Sequence, residues 1–377
     1  MRVQRLTSVD ALRGLASLAV LVYHVYGDGF SKPGPDHPLL QCIAVPASVG
    51  YVGVNLFLVL SGFCIHMGVA RQDALSGFNF VAFWKRRFFR LYPPYLAAMV
   101  LSVLIGIIGT ISVSGGLHFS WPPSPYSNTN ALVGDFWAHV FMLHILFPAT
   151  IFGVFNPPLW SLALEEQLYA MYSIYLWLLA RITSLRLTFI ALVVSFVWRG
   201  ITLVYLDNNS FPWLMQAPSR WFEWCLGALA AEFYCERVRL PKWCLRLWLC
   251  PVLLVGACCL QNLPPLGITG ADPLYGVGFF ILLNYYCQRE KLGELSRGLL
   301  TRLLAFVGTW SYSLYLIHAP TIRLFRAVFH VLRLDSQPEL CSLILLVVSL
   351  LAGGALYWCV ERHFLKKPAA KPEAGRR

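Results

Sequence analysis

Charge is what this sequence has least of. Asp, Glu, Lys and Arg make up 13% of its 377 residues, where a soluble domain carries roughly a quarter. So few charges cannot cover a water-soluble globule of this length, and a hydrophobic share of 58% excludes a disordered chain. No stretch is polar enough to form a soluble domain. The 11 cysteines show no zinc-type spacing, and there is no glycine-rich phosphate loop, no HExxH helix and no serine nucleophile elbow. No metal is expected. Cys225, Cys250, Cys258, Cys259, Cys287 and Cys359 lie in apolar runs, where cysteine acts as a small hydrophobe. Cys42 alone falls in an outer loop, without a disulfide partner there.

What recurs instead is the apolar run of about 20 residues that crosses a bilayer. Candidate spans are 9–28, 49–70, 91–113, 159–180, 187–206, 214–235, 247–262, 273–288, 303–323 and 338–360. The first resembles a signal peptide, but Asp10 and Arg13 interrupt it and no small-x-small cleavage site follows His24, so it is expected to remain as a helix. One more apolar stretch, 136–155, either crosses or lies at the outer interface. The basic residues decide: with 136–155 not crossing, 24 of the 30 Lys and Arg collect on one side, as the positive-inside rule requires of cytoplasmic loops. The expectation is an all-α polytopic helical membrane protein with about ten transmembrane helices and both termini cytoplasmic. Residues 1–365 form the transmembrane domain and 366–377 a basic cytoplasmic tail. The formal charge of +12 then reflects topology and contact with membrane lipids, and nucleic acid is not an expected partner.

Ionisable groups at membrane depth are costly and mark function. On the first span, Arg13 and His24 are eleven residues apart, close to three turns and a rise of roughly 16 Å, so they share a face. Asp10 lies one turn before Arg13, placed to orient it and too far to partner His24. Glu165 and His318 sit at a depth comparable with His24 near the outer ends of their own spans, and a neutral imidazole beside a carboxylate is a ready general base. At the inner side, "FWKRRFFRLYPPYL" puts Arg87 and Arg90 on one helical face just before a span. They suit either lipid headgroups or a phosphorylated cytoplasmic ligand. Gly50, Gly53 and Gly62 with Ser61 read as a close-packing face with Asn55 its polar exception, while Arg199, Arg220, Glu223 and Glu232 have no assignable partners.

Five segments, in order, resemble the membrane acyltransferase 3 family of integral-membrane O-acyltransferases. They are "DALRGLASLAVLVYH", "GVNLFLVLSGF", "RRFFRLYPPYL", "WSLALEEQLY" and "GTWSYSLYLIHAP". Asn55 stands where the family often has Asp, and Leu168 where Phe is common. The sequence stops after "ERHFLKKPAAKPEAGRR", and no hydrolase-like extra domain of the kind some members carry is expected in it. The resemblance implies transfer of an acyl group, commonly acetyl, from cytoplasmic acetyl-CoA to a hydroxyl of a saccharide, a lipid-linked glycan or another small molecule in a bacterial inner membrane. Arg13, Arg87 and Arg90, with Asp10 as orienter, would then bind the CoA phosphates. His24 would serve as general base or acyl relay, Glu165 would orient it or the acceptor, and Ser311, Tyr312 and His318 would line the acceptor pocket. A polar-solute transporter using His24, Glu165 and His318 as a proton relay is the competing expectation.

Overall fold

A computed structural model describes residues 5–27, 38–72, 78–114, 126, 128–206, 210–263, 266–296, 298–334 and 336–365. Among these residues every regular element is helical. The helices are α1 (Thr7–Val22), α2 (Pro38–Ala47), α3 (Gly53–Ala70), α4 (Phe80–Ser114) and α5 (Thr129–Val140). There follow α6 (Trp160–Leu179), α7 (Ser184–Leu206), α8 (Ser210–Leu214), α9 (Ala217–Tyr234) and α10 (Leu249–Gln261). The last are α11 (Leu266–Lys291), α12 (Leu299–Thr309), α13 (Ser311–Val331) and α14 (Pro338–Leu356). α1 runs on into a wide π-helical turn, Tyr23–Gly27, and α14 into a second one, Tyr357–Glu361. Among the described residues, five helical stretches are long and apolar enough to cross a membrane: Thr7–Tyr26, Gly50–Ala70, Phe80–Thr110, Ser184–Tyr205 and Pro338–Phe364.

Charged groups sit inside the bundle, within a core that is mostly apolar, and many large apolar side chains stand on its outside. Arg199 is 1% exposed and Glu223 fully buried, whereas Phe189, Val204, Ile108 and Leu351 stand out from the helix surfaces. That arrangement is what a lipid solvent selects, since charges must find partners within protein and hydrocarbon can face lipid freely. The chain is a multi-pass, all-α membrane protein. Glycines set its tightest contacts. A Cβ on Gly62 would strike the Trp224 carbonyl, and one on Gly227 the Val59 carbonyl, so α3 and α9 meet backbone to backbone. Gly50 and Gly53 do the same against Ala19 and Ala16 of α1.

Every expected span lies on helix, the one at 303–323 on two of them, and contacts group the ends of α1, α3, α9, α10 and α11 as the basic residues predict. The backbone N–H groups of Thr7 and Ser8 at the start of α1 donate to Glu290 near the end of α11, each at 2.8 Å. Arg237, after α9, donates to the Gln72 carbonyl after α3. Lys291 donates to the Tyr234 carbonyl at 2.9 Å. At the opposite end Tyr51 meets Gln261, and Tyr275 donates to the same Gln261 oxygen at 3.3 Å.

Two expectations need correction. The arginine segment does not precede its span: α4 is one helix of 35 residues that carries Arg87 and Arg90 within it and continues through Pro93 and Pro94. Proline removes two N–H donors there, while side chains anchor the stretch, Tyr95 donating to the His139 carbonyl at 2.9 Å and Tyr92 to that of Val140. The single span at 303–323 is two helices, broken at Trp310. Segment 136–155 does not form a crossing helix. α5 ends at Val140 and turns follow, with positive φ at Met142, Val154 and Phe155. The basic tail 366–377 lies outside the described residues, as do 115–125 of the long outer stretch.

Candidate functional site

α1, α3, α4, α6 and α13 line a partly open cavity. Arg13 reaches it from α1, and Arg87 and Arg90 from one face of α4. Among the described residues none of the three makes an ion pair or donates a hydrogen bond. Arg87 Nε is buried without an acceptor, and its guanidinium lies 5.7 Å from the Phe83 ring centre and 5.8 Å from that of Tyr169. Arg90 feels the charges of Arg13 and Arg87. Glu166 acts on Arg87, and Glu361 on Arg13 and Arg90, through space only. Three guanidinium forks facing one void without carboxylate contacts have the donor chemistry of a phosphate site.

The remaining wall is polar. Glu165 Oε1 accepts from Ser61 Oγ at 2.7 Å and from the Tyr169 hydroxyl. Ser311 and Tyr312 line the cavity where α13 begins, and both hydroxyls are already engaged. Ser311 donates to the Gly308 carbonyl at 3.0 Å, and Tyr312 to that of Leu91 at 2.8 Å. They shape the wall more than they offer donors. Asp10 is absent from the lining; it accepts from Arg5 and makes no hydrogen bond with Arg13.

His24 and His318 form a separate pair, their rings 4.9 Å apart and His318 Nε2 3.3 Å from His24 Nδ1. His318 Nδ1 lies 2.7 Å from the Tyr315 carbonyl, which can only accept, so Nδ1 carries the hydrogen and Nε2 a lone pair. His24 Nδ1 faces that lone pair and, at 2.9 Å, the Val20 carbonyl. It too must be the protonated nitrogen, which leaves His24 Nε2 basic. Tyr315 stands between pair and cavity. It lines the void, its ring is 5.6 Å from that of His318, and its hydroxyl is held by Ser161 at 2.6 Å and by the Pro158 carbonyl at 3.0 Å. Glu165 therefore joins the arginines and not His24, contrary to the grouping by depth.

Residues that sequence reasoning left aside complete the surroundings. Glu361, buried, accepts from the backbone N–H of Ser313 at 3.2 Å and from its hydroxyl, fixing the first turn of α13. The unassigned charges close on one another: Arg199 meets Asp272 at 3.0 Å and Glu223 at 3.5 Å, and Arg220 meets Asp272 at 2.5 Å. Asn55 donates to Asp272 at 2.9 Å, and Glu232 pairs with His66 at 2.6 Å. Elsewhere, His139 and His144 stack in parallel with ring centres 3.7 Å apart, next to buried Asp135.

A family model described as an acyltransferase domain matches residues 6–359. Acyltransferase MdmB of Streptomyces mycarofaciens is 26% identical, the alignment covering 97% of this chain and 93% of that protein. Peptidoglycan O-acetyltransferase OatA of Listeria monocytogenes is 25% identical over 91% of this chain and 53% of its own length. Putative peptidoglycan O-acetyltransferase YrhL of Bacillus subtilis is 25% identical over 96% and 54%. The chain thus spans about half the length of the two peptidoglycan-named relatives and nearly all of MdmB. No solved structure matches.

Proposed function

Because the chain belongs to the acyltransferase-domain family, we propose that it moves an acyl group, in the first instance acetyl, from acyl-CoA to a hydroxyl of a saccharide or lipid-linked glycan. Membership makes it a membrane acyltransferase; donor, acceptor and residue roles are the proposal. The observation that carries it is the set of unpaired guanidiniums of Arg13, Arg87 and Arg90 around one cavity. A CoA nucleotide brings several phosphate charges to such a site. The same helix that supplies Arg13 supplies His24 about 16 Å further along, beyond Tyr315.

His24 Nε2 takes the proton of the acceptor hydroxyl as its oxygen attacks the thioester carbonyl, and returns it to the departing thiolate. His318 orients the imidazole through the 3.3 Å contact at Nδ1. Glu165, held by Ser61 and Tyr169, positions the cavity wall. The names of the peptidoglycan O-acetyltransferase relatives support a saccharide acceptor. The gathering of basic residues at one end of the bundle supports a bacterial inner-membrane protein with that end and both termini in the cytoplasm.

Purified protein in detergent, given radiolabelled acetyl-CoA and peptidoglycan fragments or other saccharides, tests the reading. Acetyl ester formation that disappears in His24→Ala while CoA binding persists is the expected result. Ester formation by that variant at the wild-type rate removes His24 from the mechanism. Unchanged acetyl-CoA kinetics in Arg87→Glu return the arginines to lipid anchoring.

A further inference from the structure

α3 offers the arginine cavity one more group, the thiol of Cys64. Its side chain is exposed although it lies deep in the bundle, because the surface it presents is the cavity wall. Cys225, Cys244, Cys250 and Cys287, by contrast, are packed away. Among the described residues Cys64 has no hydrogen-bond partner, and Arg13, Arg87 and Arg90 all act on it electrostatically. The same three charges draw anions to the thiol.

We propose that Cys64 is a modification site for small anionic disulfides, and that the mixed disulfide closes the cavity to its phosphorylated ligand. The Cys64 sulfur, having lost its proton, attacks one sulfur of the incoming disulfide. The old S–S bond breaks as the new one forms, and the departing thiolate takes up a proton. Excess thiol reverses the step. The inference rests on reading the arginines as an anion site and is indifferent to which acyl donor uses it.

The test compares two aliphatic disulfides of opposite charge, dithiodipropionate and cystamine, on purified protein in detergent. Labelling of Cys64 is followed by peptide mass spectrometry, with each rate divided by that for the unfolded chain. Pyrophosphate binding is measured on the same preparation by calorimetry. Dithiodipropionate should react faster by about tenfold or more. Pyrophosphate should protect, the modified protein should no longer bind it, and Arg90→Gln should shrink the ratio. Cys64→Ser, which carries no reactive sulfur, should leave pyrophosphate binding insensitive to either reagent. Equal rates for the two reagents, or an unmodified Cys64 in protein that binds pyrophosphate, overturn the inference and leave the anion site standing. Failure to bind pyrophosphate at all overturns both.

Discussion

Two groups of arginines lie within the same membrane bundle and have opposite fates. Arg199 and Arg220 are closed inside an ionic network with Glu223 and Asp272, in which two cations meet two carboxylates at 2.5 to 3.6 Å. Arg13, Arg87 and Arg90 face a void and meet none in contact. The first group pairs its charges within the fold and so holds helices α7, α9 and α11 together. The second leaves its hydrogen-bonding capacity unspent, and a buried donor without an acceptor costs about 1–3 kcal/mol until a ligand supplies one. Charge at membrane depth is therefore open to a ligand here only where the partner is missing.

The sharpest way to break this contrast is to remove one arginine from each group. Arg199→Ala removes one of the two cations that Asp272 and Glu223 share, and loss of one partner from a buried pair costs about 3–5 kcal/mol. Thermal unfolding in detergent should show a large fall in Tm or no folded protein, whereas Arg87→Ala should keep the wild-type Tm. Equal falls for the two would erase the distinction. Next in size is His24→Ala, expected to slow acetyl transfer by about 10²–10⁴, the range of a lost general base, with nucleotide binding intact by calorimetry. Arg87→Ala itself should raise the KM for acetyl-CoA by about 10–100-fold, one charged hydrogen bond's worth, with kcat nearly unchanged in steady-state assays.

The smallest effect extends the contrast to the histidines. His144, in the outer turns after α5, is pushed down from 6.5 to about 3 by burial and by the His139 charge beside it. The fold keeps it neutral, so between those values the unfolded chain binds the proton more readily. Stability is thus lost as pH falls from about 6.5 toward 3, and none of this loss is felt above that window. His144→Asn should flatten the acid limb of a Tm-against-pH curve; an unchanged limb would show that other groups set it.

Where the helices run is legible in the sequence, because apolar length is a property of one helix at a time. The spacing of Arg87 and Arg90, and the packing role of Gly50, Gly53 and Gly62, are legible for the same reason. Which helix faces which is not. Depth along a span gives height but not direction, so depth alone groups Glu165 with His24, although its side chain turns to Ser61 and Tyr169. Spacing assigns Asp10 to Arg13, yet Arg5, outside the helix, reaches it instead. Partners such as Asp272 for Arg199, or Glu361 for Ser313, are 73 and 48 residues away in sequence. No local pattern links them.

The two wide turns, Tyr23–Gly27 on α1 and Tyr357–Glu361 on α14, end helices that both pack against α13. Each carries a residue the site relies on, His24 in one and Glu361 in the other. A π-helical turn holds one residue more than an α-helical turn, so both side chains are aimed by an inserted residue. This makes the site sensitive to chain length in a way that point substitution does not reveal. Removing one residue from either turn would restore regular α-helix and swing the downstream residues by about 100°, carrying the imidazole away from His318 or the carboxylate away from Ser313, with every side chain still present.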